Sequence, residues 1–164
     1  MKKTLKNVLI IVTLILSITI LTGCGSESSS GGSDSKKNSY TLGETFNFDD
    51  LEITLGKDYS FTTIDNEYSE NYGADVIKLP ITVKNLKEET HGLNIFYYSV
   101  FGSKGTEVDE VNTYFDDNID EAGELRTGAS YTKNMYFVYD GDGQYAIEFN
   151  DLFNKVTVEF DVTK

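Results

Sequence analysis

From residue 40 to residue 164 the sequence predicts an all-β fold. Apolar residues recur at every second position in several short runs, turn-forming residues separate these runs, and no segment sustains the 3.6-residue period of a helix. Six or seven such runs within about 125 residues are typical of two packed antiparallel sheets. We therefore predict an immunoglobulin-like antiparallel β-sandwich of about seven strands.

The first strands show the plainest alternation. Leu51, Ile53 and Leu55 share one face of a predicted strand, and the run at 77–83 alternates in the same way. The second run contains Pro80, which has no backbone N–H to donate to a neighbouring strand. We therefore expect this strand to be an edge strand or to carry a bulge at Pro80.

The later strands complete the pattern. Residues 95–101 are apolar on nearly both faces, which predicts a central strand in the middle of the core. Alternating runs predict further strands around 131–139, 145–149 and 156–162. The tetrapeptide at 140–143, Asp-Gly-Asp-Gly, is typical of a hairpin turn between two of them.

The N-terminal 23 residues predict a secretory signal peptide. Lys2, Lys3 and Lys6 precede a largely apolar run at 8–21, and basic residues followed by such a run are the usual pattern of these signals. The run is shorter than the roughly 18–20 apolar residues that a membrane-spanning helix needs. A cleaved signal is therefore favoured over a permanent transmembrane helix.

The apolar run ends in Leu21, Thr22, Gly23 and Cys24, which resembles the lipobox of bacterial lipoproteins. Small residues at 22 and 23 would let a signal peptidase close on the bond before Cys24, whose thiol would carry a diacylglycerol. Two acyl chains hold a protein firmly on a membrane. The sequence thus predicts an anchor on the outer face of the cytoplasmic membrane, exposed to the cell wall or exterior. The alternative is a free Cys24 thiol after an uncleaved signal.

A polar segment separates this anchor from the predicted sandwich. Residues 25–39 contain Ser, Gly, Lys, Asn and acidic residues and no apolar side chain, so they cannot bury enough surface to offset the entropy of ordering. We predict three parts: a signal peptide at 1–23, a lipid-anchored tether at 24–39 and an immunoglobulin-like domain at 40–164.

Composition narrows the range of functions. The chain has 164 residues and a net charge of −13, and removing the three lysines of the signal peptide takes this charge to −16. Such a surface repels phosphate backbones, so nucleic acid is not expected as a partner. With one His and one Cys, the latter expected to be acylated, few nucleophilic arrangements remain. We therefore predict no enzymatic activity.

Two groups of residues are candidates for a binding role. Asp116, Asp117, Asp120 and Glu121 could converge on Ca²⁺, and the alternative is that they are solvated surface charges. No other cofactor is predicted. The second group is Tyr59, Tyr68 and Tyr72, in the polar stretch at 56–75. These rings could form a recognition surface, because Tyr brings large contact area at low entropic cost, or they could pack back onto the sandwich.

Three stretches of the sequence resemble one family. They are residues 42–45 leading into 51–54, residues 81–86, and residues 125–128 followed by 136–138. Together they are similar to a family of immunoglobulin-like extracellular domains of unknown function, common in lipoproteins of Gram-positive bacteria and akin to the immunoprotective extracellular antigens. The resemblance implies an immunoglobulin-like fold and a cell-surface location, and it implies no catalytic residues.

These observations predict a membrane-anchored extracellular lipoprotein whose sandwich is a non-catalytic binding or interaction module of the cell envelope. Its partner would be an envelope protein, a polymer or a small ligand. One alternative is a Ca²⁺-binding module that uses the acidic segment at 116–124. A second is an enzyme, or an accessory subunit, acting on cell-wall polymers, which would need paired carboxylates in a cleft.

Overall fold

In the computed structural model, residues 37–164 are described, and their regular structure is almost entirely β. The described strands are β1 Ser39–Tyr40, β2 Thr45–Phe48, β3 Leu51–Leu55, β4 Ser60–Thr63, β5 Asp75–Asn85, β6 Tyr98–Phe101, β7 Ser130–Val138, β8 Gly143–Asn150 and β9 Lys155–Val162. Three short 3₁₀ turns lie at Ile95–Tyr97, Asn112–Tyr114 and Ile119–Glu121. The predicted signal peptide, the lipobox with Cys24, and the tether up to residue 36 lie outside the described residues. Across residues 37–164, no helix has the length and apolar character needed to span a membrane.

The strands form two sheets that pack face to face. One sheet has the order β1-β9-β8-β6. In the other, β2 pairs with β3, β3 and β4 follow one another along one side of β5, and β7 pairs along its other side. All pairs are antiparallel except β1 with β9. Because the chain changes sheet at β2, β6, β7 and β8, the result is an immunoglobulin-like β-sandwich, which confirms the predicted fold class.

The core lies between the two sheets, where the predicted alternation places it. Leu51, Ile53 and Leu55 of β3 are all fully buried, and the apolar positions of β9 are buried in the same alternating fashion. Phe149 of β8 links the sheets, since its ring centroid lies 5.2 Å from that of Phe46 and 5.9 Å from that of Phe48, both in β2. Such aromatic contacts contribute beyond the burial of their area.

The prediction of an edge strand or bulge at Pro80 is wrong, because β5 is the central strand of its sheet and pairs on both sides. The fold tolerates the proline through local geometry. The Gly56 N–H donates to the Pro80 carbonyl oxygen at 2.7 Å, so the backbone polar atoms of Pro80 face the break between β3 and β4. Neither β3 nor β4 has a residue paired with Pro80 at that break, so the missing N–H of the proline leaves no strand acceptor unpaired there.

The prediction of a central strand at residues 95–101 is also wrong. Ile95–Tyr97 form a 3₁₀ turn, and only Tyr98–Phe101 form a strand, β6, at the edge of its sheet. The Asn94 side chain accepts a hydrogen bond from the Phe96 N–H at 3.0 Å, which caps the turn and leaves Phe96 86% exposed. An apolar run usually indicates a buried strand, but here the cap by Asn94 places the first three residues of the run in a turn.

Residues 140–143 turn the chain as predicted, but the turn is not a hairpin, because β7 and β8 lie in different sheets. The Asp140 N–H donates to the Tyr145 hydroxyl at 2.9 Å, and that hydroxyl donates to the Asp140 carboxylate at 2.7 Å. Gly141 and Gly143 supply the positive φ angles, 136° and 146°, that the tight path requires. This arrangement is the tyrosine corner of immunoglobulin-like sandwiches.

The sandwich has two distinguishable ends. Ser39 of β1 pairs with Thr157 near the start of β9, so the described chain enters the fold beside the β8–β9 turn at 151–154; we call this the tether end. The opposite end, the far end, holds the C-terminus, the corner at 139–142 and the loop at 64–74. Contacts of the C-terminal Lys164 join these parts. Its N–H donates to Asp142 in the corner at 2.9 Å, and its Nζ lies 2.5 Å from a carboxylate oxygen of Asp75, which directly follows the loop.

Candidate functional site

The loop at the far end, residues 64–74, is closed by hydrogen bonds at its base; we call it the tyrosine loop. The Ile64 N–H donates to the Ala74 carbonyl at 3.3 Å, and the Gly73 N–H donates to the Ile64 carbonyl at 2.9 Å. Ile64 itself is buried in a small apolar cluster with Val76 and Tyr136. The loop therefore leaves the sheet from a fixed position.

Hydrogen bonds within the tyrosine loop also fix its tip. The Asn66 side chain accepts from the Tyr68 N–H at 3.0 Å, and the Ser69 carbonyl accepts from the Tyr72 N–H at 3.1 Å. The Asn71 side-chain amide donates to the Asp109 carboxylate at 3.2 Å, which ties the tip to a segment bridged to β7. These bonds brace the tip and reduce the ordering that a partner would have to impose.

The three predicted tyrosines separate into two groups. Tyr59 packs back onto the sandwich: its ring lies edge-on to Phe61 at 5.8 Å, and its hydroxyl accepts from the Thr163 N–H at 3.0 Å. Tyr68 and Tyr72 instead project from the tyrosine loop, with 89% and 58% of their surface exposed. The structure therefore brings two of the three rings together and assigns the third to packing.

The exposed rings border an acidic hollow. Tyr68 and Tyr72 line a depression of about 540 Å³ together with Asp65, Asn66 and Glu67. Aromatic faces provide apolar contact, while the carboxylates and the amide oxygen accept hydrogen bonds. A partner with apolar faces and hydroxyl or ammonium donors would suit this surface.

Asp117, one of the four predicted metal ligands, is held by hydrogen bonds to neighbouring side chains. Asp117 is engaged on the outer face of the five-stranded sheet, where its carboxylate accepts from Lys78 Nζ at 2.8 Å, from the Asn134 amide at 2.9 Å and from the Tyr136 hydroxyl. The bonds from Lys78 and Tyr136 hold the pKa of Asp117 below its usual range, against the effect of burial. The Tyr136 ring in turn stacks on Phe115, with ring centroids 3.9 Å apart.

The other predicted ligands do not all lie beside Asp117. Asp116 lines the same shallow hollow as Asp117, whereas Asp120 accepts from the Asn112 amide at 3.0 Å and lines a cleft beside the start of β6. Glu121 lies in the 3₁₀ turn Ile119–Glu121. Among the side chains described in the range 37–164, which do not include that of Glu121, no three His, Cys, Asp or Glu residues are arranged to hold a metal ion.

The cleft beside β6 contains a residue that sequence reasoning missed. It has a volume of about 350 Å³ and includes Tyr98, Glu110, Asn112 and Asp120. Although much of Glu110 is exposed, desolvation of its carboxyl group raises the pKa to about 7, and the nearby Asp120 charge adds to this effect. Burial also raises the pKa of Asp120. Because this enclosure exists only in the folded chain, no sequence pattern indicates it.

The comparisons with known proteins identify the fold class. No model of a known protein family matches this chain, and no curated protein sequence matches it. Several solved structures do match, among them the secreted protein MPT63 of Mycobacterium tuberculosis, at 14% identity and a TM-score of 0.57, over 78% of this chain and 99% of that one. The "putative lipoprotein" ycdA of Bacillus subtilis matches at 18% identity and a TM-score of 0.53, over 71% of this chain.

The matches differ in how much of the other protein they cover. The matched region spans only 38% of the ycdA chain. The Bacillus subtilis protein yjhA matches along 99% of its length, with 74% of this chain covered, at 17% identity and a TM-score of 0.52. At such identities the likeness shows the β-sandwich fold that these proteins share.

Proposed function

We propose that this chain is a lipid-anchored lipoprotein of the cell envelope whose sandwich is a non-catalytic binding module, with the tyrosine loop as its contact surface. One observation carries the proposal: Tyr68 and Tyr72 are exposed on a loop that its own hydrogen bonds hold in place. Exposed aromatic rings on a fixed loop are the usual composition of a recognition surface.

The energetics favour such a surface. A partner that covers a mobile loop must offset the entropy lost when that loop is ordered, whereas the hydrogen bonds at Ile64, Asn66 and Asn71 have already fixed this one. Tyr loses little side-chain entropy on binding and buries a large area, so truncating a central Tyr in an interface often costs about 2 kcal/mol or more.

The position of the tyrosine loop supports an outward-facing role. An anchor at Cys24 would lie before the tether end, and the tyrosine loop is at the far end, beside the C-terminal Lys164. The similarity in fold to a secreted protein and to a "putative lipoprotein" agrees with a location outside the cytoplasm. The net charge of −16 after signal removal favours a neutral or cationic partner in the envelope.

The non-catalytic part of the proposal rests on the structural role of His91 and the expected lipidation of Cys24. The imidazole Nε2 of His91 lies 2.7 Å from the Asp49 carbonyl oxygen and 3.2 Å from the Asp49 carboxylate, so the ring links two turns of the fold. Cys24 would carry the lipid. His91 thus has a packing role between these turns, and a lipid on Cys24 would occupy the thiol of the chain.

The binding test uses the single cysteine. A maleimide dye on Cys24 labels the chain 24–164 away from the tyrosine loop. Sedimentation of this labelled protein with purified cell walls or with washed envelope membranes measures binding. The double variant Tyr68→Ala/Tyr72→Ala should lose binding by at least about tenfold, while Tyr114→Ala, an exposed control at 41%, should retain it.

Two outcomes would contradict the binding module. Full binding by the double variant would remove the tyrosine loop from the contact surface, and no binding of the unmodified chain to walls or membranes would count against a binding role in the envelope. The anchor has its own test. Cys24→Ala should release the protein or leave it unprocessed, so a mature-sized, membrane-bound Cys24→Ala protein would contradict lipidation.

A further inference from the structure

The tether end carries the most exposed apolar side chains of the described residues. Leu152 and Phe153 form the tip of the β8–β9 turn, and they are 93% and 90% exposed. Beside them, Leu86 and Phe48 line a hollow of about 310 Å³ together with Phe153. Single exposed apolar residues are ordinary, whereas contiguous exposed apolar surface marks a site of contact with a protein or a membrane.

Three backbone N–H groups of the turn, those of Asp151, Phe153 and Asn154, are paired within it. The Asp151 side chain accepts from the Phe153 N–H and from the Asn154 N–H, both at 2.6 Å. The Asp151 N–H donates to the Asn154 carbonyl at 3.0 Å, which closes the turn. Backbone donors that are already paired can enter an apolar medium without the penalty that unpaired groups incur.

Covalent geometry restricts how far this turn can lie from the predicted anchor. The chain reaches the fold at Lys37 and pairs with β9 through Ser39, only a few residues beyond the β8–β9 turn. About 13 residues separate Cys24 from Lys37, and a chain of that length spans at most about 45 Å in any conformation. An anchored chain therefore keeps Leu152 and Phe153 at high local concentration near the lipid.

We propose that Leu152 and Phe153 insert into the interface of the membrane to which the chain is anchored, and that this contact fixes the sandwich with the tyrosine loop facing outwards. The inference rests on the proposed lipid anchor. Burial of each side chain favours the inserted state by a factor of roughly 10 to 100, which is marginal for a free protein and sufficient for a tethered one.

Acidic residues beside Phe153 indicate that electrostatic attraction does not drive the proposed membrane contact. Asp49, Asp50 and Asp151 line the hollow beside Phe153, and anionic headgroups would repel them. The attraction must therefore come from the apolar side chains, so insertion should occur on zwitterionic lipid and should not require anionic lipid. This distinguishes insertion from electrostatic adsorption.

The experiment supplies the anchor chemically. The chain has one cysteine, Cys24, and no tryptophan, so the chain 24–164 can be coupled through Cys24 to a maleimide lipid in phosphatidylcholine vesicles. A Phe153→Trp substitution then provides the single indole, and lipids brominated near the headgroup end of the acyl chain report its depth by quenching. The matched control is Tyr68→Trp, equally exposed but at the far end.

We expect the emission of Phe153→Trp to shift to shorter wavelength and to be quenched by the brominated lipid, while Tyr68→Trp is unchanged. Adding Leu152→Asp to Phe153→Trp should reduce the inserted fraction at least tenfold, because a charge replaces a buried apolar group. No quenching at residue 153, or quenching only with anionic lipid, would overturn the proposal. A blue shift without quenching would also overturn it; if that shift increased with protein density, it would indicate contact between copies of the chain. Since coupling imposes the anchor, failure here is separate from failure of lipidation, which Cys24→Ala tests.

Discussion

Removing the hydroxyl of Tyr145 tests the corner that joins the two sheets. Tyr145→Phe abolishes the hydrogen bond from the Asp140 N–H at 2.9 Å and the bond to the Asp140 carboxylate at 2.7 Å. The carboxylate keeps the bonds from the Ser103 N–H and hydroxyl, at 2.9 and 3.0 Å, but the Asp140 N–H loses its partner. With about 1 kcal/mol for each neutral bond and more for one to a charge, the loss should be about 2–3 kcal/mol.

Equilibrium unfolding in urea, followed by circular dichroism, measures this loss. For a domain of this size about 2–3 kcal/mol corresponds to a decrease in melting temperature of about 8–12 °C. Tyr131→Phe, at a half-buried position outside the corner, makes the same chemical change and should have little effect. If Tyr145→Phe lost less than about 0.5 kcal/mol, or no more than the control, the hydrogen-bond reasoning would be refuted.

Two further predictions concern the cleft and the core. Glu110 holds a proton in the folded chain up to a pKa of about 7, raised from 4.5 by desolvation, so its contribution to stability is present below about 4.5 and is lost as the pH rises to about 7. Glu110→Gln should therefore reduce the loss of unfolding free energy between these pH values by about 1 kcal/mol, once solvent screening of the partly exposed group is allowed for. Urea titrations at several pH values measure this, with the exposed Glu159→Gln as the control. Identical pH profiles for Glu110→Gln and the unmodified chain would count against a raised pKa of Glu110. Phe149→Ala should cost about 3–5 kcal/mol in the same assay because it opens a cavity between the sheets, whereas Phe153→Ala, at an exposed position, should stay within about 0.5 kcal/mol, and equal effects would contradict the assigned core.

Strands with one buried face could be predicted from the sequence because their pattern is local. The alternation at Leu51, Ile53 and Leu55 directly reports which side of β3 faces the core. The partners of each strand depend on contacts distant in sequence. Pro80 therefore looked like an edge residue although it lies in a central strand, and residues 140–143 looked like a hairpin although they join two sheets.

In the candidate site, too, local sequence features could be predicted and contacts between distant segments could not. Composition indicated that Tyr59, Tyr68 and Tyr72 belong to a polar connection, but only the packing of Tyr59 against Phe61 shows which ring turns inwards. Glu110 was missed because its pKa depends on enclosure by residues from other segments. Tyr145 is different: a Tyr closely following the turn at 140–143 in a predicted immunoglobulin-like fold is a recognisable signal for the tyrosine corner.

The central claim is that the tyrosine loop contacts a partner in the envelope, and photocrosslinking in intact cells tests it most directly. A benzophenone amino acid replaces Tyr68 in the chain 1–164, and the same residue replaces Tyr114 as an exposed control that lines a different hollow. We expect a discrete, light-dependent adduct at position 68, absent at position 114 and lost when Tyr72→Ala is added. The same adducts at both positions, or none at position 68, would contradict it.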